Sequence, residues 1–236
     1  NNVVLFGEQF FDHATLEANL HLNSNTRYFY GYNTQVDTSL LKDDIPKQNY
    51  TTLGFRVGLN STYIDSTHLN YNVQLKGNHL NDNFNTSLNH LDFKANFDKF
   101  FDGSHGGVNT GYVFSEHRSL PDTIKNNLIA IKPWLAWYGD GWRVQGGVNF
   151  FAEVVDGNGK ARIYPSARME YDMVSQYFIP YGGIDGKMKM NPYSRISEEN
   201  PFIMPGLYID NTNYNMIFYS GIRGNLGPST FYNAKL

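Results

Sequence analysis

Thr67-His68-Leu69-Asn70-Tyr71-Asn72-Val73-Gln74-Leu75-Lys76-Gly77-Asn78-His79-Leu80 is the stretch that decides the fold. Leu69, Tyr71, Val73, Leu75 and Gly77 alternate with Asn70, Asn72, Gln74, Lys76 and Asn78. In an extended chain successive side chains point to opposite faces, so period two over this length is a strand with one apolar and one polar side. The pattern recurs on both sides of it. Leu16, Ala18, Leu20 and Leu22 oppose Glu17, Asn19, His21 and Asn23. Leu53, Phe55, Val57 and Leu59 oppose Gly54, Arg56, Gly58 and Asn60, and Leu91, Phe93, Ala95 and Phe97 oppose Asp92, Lys94, Asn96 and Asp98. Further on, Trp142 to Val154 opposes Arg143, Gln145, Asn149 and Glu153, and Ala161 to Tyr171 opposes Arg162, Tyr164, Ser166, Arg168 and Glu170.

These runs predict twelve strands: 14–23, 27–36, 50–60, 67–79, 84–99, 106–117, 126–138, 142–155, 159–172, 176–190, 214–226 and one from about 230. Most reach ten residues. Strands of soluble proteins average about five or six residues, whereas bilayer-crossing strands need about 9–11. Connections are expected to alternate. Short turns fall at Ser24-Asn25, Thr62–Asp65, Asp102–Ser104, Gly139–Gly141, Val174-Ser175 and Gly227-Pro228. Longer links fall at 37–49, 80–83, 118–125, 156–158 and 191–213. Short periplasmic turns opposite longer outer loops are the habit of outer-membrane barrels. Aromatics gather beside the short turns: Tyr28–Tyr30, Phe97, Phe100, Phe101, Trp137, Tyr138, Trp142, Tyr177, Phe178, Phe231 and Tyr232. Amphipathic rings at one level of each hairpin form an interfacial girdle. The expected fold is an all-β, antiparallel up-and-down transmembrane β-barrel, residues 1–236 being one barrel domain or a piece of a larger barrel.

Composition narrows the function. Charged residues are 17% and aromatics 16%, and the net charge is −3. An average soluble domain is about one-quarter charged, and nucleic acid asks for a basic face, so it is not an expected partner. With no cysteine, disulfides, thiolate zinc sites and cysteine nucleophiles are excluded. Apolar runs such as Leu128–Ile131 are far too short for a spanning helix. The N-terminus, Asn1–Val4, has no signal-peptide shape.

The stretch Pro180–Gly186, the stretch Ser197–Ile203 and the strand Ile217–Leu226 together resemble the later barrel strands of Bacteroidetes outer-membrane proteins of the TonB-dependent-receptor-like kind. The resemblance covers about 180–236. It implies a barrel larger than this chain on a Gram-negative surface, with lipid and lipopolysaccharide around it. No plug domain or TonB box is visible. The end at Asn233–Leu236 lacks a terminal aromatic, which suggests a fragment.

The polar face is where function is sought: Glu17, Arg56, Lys76, Asp92, Lys94, Arg143, Glu153, Arg162, Arg168, Glu170, Arg223 and Lys235 are expected to face a lumen. Mixed charges can brace the wall by pairing across strands or filter solutes. Catalytic chemistry is not expected. The seven histidines lack metal-ligand spacing, and Gly157-Asn158-Gly159-Lys160 reads as hairpin turn, not phosphate loop. His21 with Ser24 and Ser115 with His117 are the pairs a barrel hydrolase would use. No cofactor is expected. The leading reading is a receptor-like transporter or porin for an unknown solute or surface partner. A non-conducting anchoring barrel, an outer-membrane hydrolase and a soluble ligand-binding β-barrel are the alternatives. The link 191–213, stiffened by Pro192, Pro201 and Pro205 with a short helical turn before Pro201, either caps the strand ends or offers an external contact surface.

Overall fold

The computed structural model describes residues 1–28, 47–62, 68–119, 121–200, 207, 210–227 and 229–236. Among these residues twelve strands follow one another: β1 (Asn2–Phe10), β2 (Ala14–Tyr28), β3 (Lys47–Ser61), β4 (Asn70–Asp82), β5 (Ser87–Phe101), β6 (Ser104–Ser119), β7 (Asp122–Gly139), β8 (Trp142–Val155), β9 (Asn158–Tyr171), β10 (Ile179–Lys189), β11 (Thr212–Gly227) and β12 (Thr230–Lys235). A helix, α1 (Tyr193–Glu199), lies between β10 and β11. Each strand pairs antiparallel with its neighbours in sequence, giving an up-and-down sheet ordered β1 to β12. The sheet is not closed, and β1 and β12 are its edges.

The alternating core of the sequence is the core of the sheet, with several corrections at its margins. Ser24 and Asn25 are not a turn. They lie inside β2, opposite Thr51 and Tyr50. Arg27 and Tyr28 finish that strand, and the rest of the expected strand 27–36 lies outside the described residues, as does most of the link 37–49. Among the described residues there is also a strand outside the expected set, β1, whose run Val3-Val4-Leu5-Phe6 has no alternation to announce it. The link 118–125 is almost entirely strand, because β6 runs to Ser119 and β7 starts at Asp122. At Asp156-Gly157, φ of +46° and +84° marks a two-residue hairpin turn that favours Gly and Asp in the left-handed region.

The sheet is rolled. Tyr193 stands four residues beyond the end of β10, a reach of at most about 14 Å. Yet it packs in one cluster with Tyr50 of β3, Leu80 of β4 and Leu88 of β5. Across a flat sheet, seven strand spacings from β10 to β3 would be about 34 Å. Two tyrosine side chains do not span the difference, so curvature brings the strands round to the helix. Arg27 of β2 reaches the same helix, donating to the Ser197 carbonyl.

Candidate functional site: the concave face

Residues directly opposite in an antiparallel pair share a face, so the register traces each side of the sheet. One row runs Glu17, Gly58, Gln74, Lys94, Gly111, Ala130, Phe151, Arg162 across eight strands. A second runs Arg56, Lys76, Asp92, Val113, Leu128, Glu153. A third runs Arg143, Glu170, Tyr181, Gly221, Lys235, with Gln145, Arg168 and Gly183 alongside and Arg223 two residues beyond Gly221. All twelve charged residues singled out in the sequence thus lie on one face. That face also carries Tyr50, Leu80, Leu88 and His117, which meet α1, so it is the concave one.

The charges divide into braced and unbraced groups. Glu170, 5% exposed, takes Arg168 Nε at 2.6 Å and Arg223 Nη2 at 2.6 Å on separate oxygens. Arg143 is its direct cross-strand neighbour and donates to Gln145 at 3.1 Å. The Arg168 guanidinium also lies 4.8 Å from the Tyr181 ring centroid. That ring covers Gly221, where an added Cβ would sit 2.6 Å from it; only glycine lets the tyrosine lie flat on the wall. Elsewhere Lys94 pairs with Asp92 at 2.8 Å, and Glu153 accepts from Asn211 at 2.9 Å. Arg56 and Lys76 face each other as like charges and make no ion pair among the described residues.

Glu170→Gln keeps the shape but leaves two guanidiniums, Arg168 and Arg223, without their shared carboxylate. Because the arginines are over a third exposed, water screens part of the loss, and the expected cost is about 1–2 kcal/mol. Urea unfolding of the two proteins in the same detergent checks this. A change within error would mean that the cluster does not brace the wall.

Sequence reasoning missed that this face is partly apolar. Leu128, Phe151, Tyr164, Met188 and Met190 form a buried cluster on it, with Val113 and Ala130 beside them. The signal was present in Leu128-Ile129-Ala130-Ile131, since a run apolar on both parities marks a strand covered on both sides. At the mouth above it, Tyr193 is 4% exposed and stacks on His117 at 4.7 Å between centroids. Burial pushes its hydroxyl above the ordinary tyrosine range. The expected helical turn before Pro201 is therefore α1, and it caps the strand ends from within; Pro201 to Met204 and Pro205 lie outside the described residues.

The hydrolase pairs separate. His21 shares the concave face with Asn19, whereas Ser24 has the opposite parity on the same strand, so these two cannot meet. Ser115 and His117 do share a face and line a cavity of about 20 Å³, space for about one water molecule. Among the described residues no three His, Asp or Glu side chains gather as metal ligands would.

The convex face is apolar between two borders. At the turn end Phe101, Trp137, Trp142, Tyr171, Tyr177 and Phe178 are exposed, and Trp142 sits opposite Tyr171. Tyr28 belongs to the other end, because Ser24-Asn25 is strand; Phe29 and Tyr30 lie outside the described residues. At that other end His79, Asn89, Glu116 and Lys125 form a row across four strands. It is joined by His79–Asn89 at 2.6 Å, Asn89→Glu116 at 3.0 Å and Lys125–Glu116 at 3.6 Å. Between them β7 exposes Ile129 and Ile131. From Asn127 to Trp137 is ten residues of strand, about 34 Å along the chain and about 26 Å in height at a barrel-like tilt near 40°. That height is close to the ~25 Å apolar band of outer-membrane barrels.

No family model matches the sequence, and no curated protein does. Solved structures do. The FrpB iron transporter of Neisseria meningitidis, F5-1 variant, superposes with a TM-score of 0.68 at 10% identity over 99% of this chain. Its F3-3 variant gives 0.65 at 9% identity over the same share. This chain spans 44% of the length of either. The fold is that of an outer-membrane β-barrel wall.

Proposed function

We propose that the chain is part of the wall of an outer-membrane barrel that passes solute, of the receptor-like transporter or porin kind, with its charged concave face lining the lumen. The observation that carries this reading is the partition of faces. An apolar band about 26 Å high, bordered by aromatics and by a polar row, backs onto the face that carries all twelve charged residues singled out in the sequence. The likeness to iron-transporter barrels supports a transport role. Lipid meets the convex face, and the cationic ends of Arg118 and Lys125 meet lipopolysaccharide at the outer border. In lipid an unpaired strand edge leaves backbone groups unsatisfied, so the open edges at β1 and β12 fit a barrel of more than twelve strands.

A sealed, anchoring barrel is the second reading. It is favoured by α1 and the apolar cluster, both of which occupy the concave side.

Single cysteines at Asn72, Gln74 and Lys76 in vesicles should react with a water-soluble maleimide far faster than cysteines at Tyr71, Val73 and Leu75. Equal rates for the two sets would end the membrane reading. Conductance in planar bilayers then separates passage from sealing: discrete channel steps support transport, and silence from a labelling-competent protein favours the anchor.

A further inference from the structure

Lys132 lies on the concave face of β7, opposite Asn109. It is half-buried and forms no ion pair among the described residues. Its ammonium rests 5.0 Å from the Phe151 ring centroid. Removing a cation from water is costly unless an opposite charge compensates, and a ring face compensates only in part. Of the nearby anions, Asp92 is paired with a cation, while Asp185 is held by neutral donors only and makes no ion pair with Lys132. Asp92 holds Lys94 at 2.8 Å. Asp185 accepts from Asn149 at 2.7 Å and from the Gly186 N–H at 2.9 Å.

Two cavities meet at this lysine. One, of about 210 Å³, is walled by Val113, Leu128, Ala130, Phe151 and Met188. The other, also about 210 Å³, is walled by Asn109, Gln145, Asn149, Ser166 and Asp185. Lys132 and Asn109 line both. Glycine makes the room: Gly111 floors the first cavity and Gly147 the second. Pro133 adds to it. Lacking an N–H, it leaves the β7–β8 ladder open between Ile131–Phe150 and Trp134–Gly147 without shifting the register.

We infer that this part of the wall binds an amphipathic organic carboxylate, resting on the reading of this face as a lumen. The carboxylate pairs with Lys132. A ring-sized apolar group enters the first cavity, which exceeds the ~150 Å³ that holds a benzene. A hydrogen-bonding group on the other side of the carboxylate meets the amides of Asn149 and Gln145 and the hydroxyl of Ser166. A central carboxylate with an apolar arm and an amide arm is the chemistry of an N-acylated apolar amino acid.

The test is titration of the purified full chain in detergent with N-acetyl-L-phenylalanine, followed by calorimetry, beside its neutral amide. The acid should bind at least tenfold more tightly than the amide. Lys132→Gln should lose at least tenfold for the acid and little for the amide. Gly111→Val should weaken both by filling the apolar cavity; an added Cβ there has its nearest neighbours at 3.7 and 3.9 Å, ordinary contact distances, and the variant's urea midpoint is measured beside the parent's. Equal binding of acid and amide, unchanged binding by Lys132→Gln, or no binding by a folded chain overturns the site. Flux of a neutral sugar into vesicles is measured separately. Flux without binding removes this site and leaves the transport reading intact. Binding without flux supports the site and removes transport.

Discussion

Val148→Arg is expected to destabilise the protein by about 2–4 kcal/mol, the cost of a cation on the lipid face near the bilayer midplane. Val148 sits on the convex face of β8, opposite Pro165, six residues from Trp142 at the aromatic border and six from the exposed Val154. Arginine there has no polar neighbour and must reach for an interface or draw water into the band. The matched change is Ser166→Arg, on the concave face of β9 beside a polar cavity that also holds Asp185. It should cost under about 1 kcal/mol, because the guanidinium keeps water and gains a carboxylate. Asn149, next to Val148, is the control that alternation alone would choose, and it is a poor one. It is 6% exposed and donates to Asp185 at 2.7 Å and to the Gly186 carbonyl at 2.9 Å. Urea unfolding in lipid vesicles, followed by tryptophan fluorescence, measures the pair. Equal losses at Val148 and Ser166 would mean that the convex face does not meet lipid.

The same strand shows what alternation reports. From Trp142 to Val154 every second residue is apolar, and each of them lies on the convex face. The errors gather where the apolar band stops. Ser24 and Asn25, Arg118 and Ser119, and Asp122 to Lys125 all lie in strands at the long-link end. There both parities carry polar residues, so the segments resemble turns. Period two therefore measured the height of the apolar band, and the strands run past it. The edge strand β1 failed for a different reason. Val3, Val4, Leu5 and Phe6 are apolar on both parities, and all are exposed, so no face is chosen. On the concave side the charges were legible because each is a polar residue within an alternating run. The cavity at Lys132 was not. It depends on Gly111, Pro133 and Gly147 falling within a few residues of Lys132 on three adjacent strands, a juxtaposition that only register creates.

Tyr193→Ala is expected to undock α1 from the mouth. A seven-residue helix is far below the length that stands alone in water, and α1 has no side-chain cap at its N-terminus. What holds it is tertiary. Tyr193 is buried against Tyr50, Leu80 and Leu88 and stacked on His117, and Arg27 donates to the Ser197 carbonyl. Removing a buried aromatic ring costs about 3–5 kcal/mol, more than one cationic hydrogen bond of about 1.5–3 kcal/mol can offset. The loss should stay local, because the β-ladders under the helix are untouched. A protease added to the folded variant should then cut within 191–211 at least tenfold faster than in the parent, with the sheet's urea midpoint nearly unchanged. The buried hydroxyl supplies a second readout. Its folded pKa is raised, so the docking it favours is present below the ordinary tyrosine value near 10 and declines as pH climbs from there toward the folded value. Cleavage of the parent should accelerate over that alkaline window, while the alanine variant, already undocked, should show no such rise. If the variant resists protease as well as the parent does, Tyr193 is not what closes the mouth. If conductance rises together with cleavage, α1 obstructs the path through the barrel; if cleavage rises alone, the path is narrowed lower down, where Phe151, Tyr164 and Met188 cover the wall.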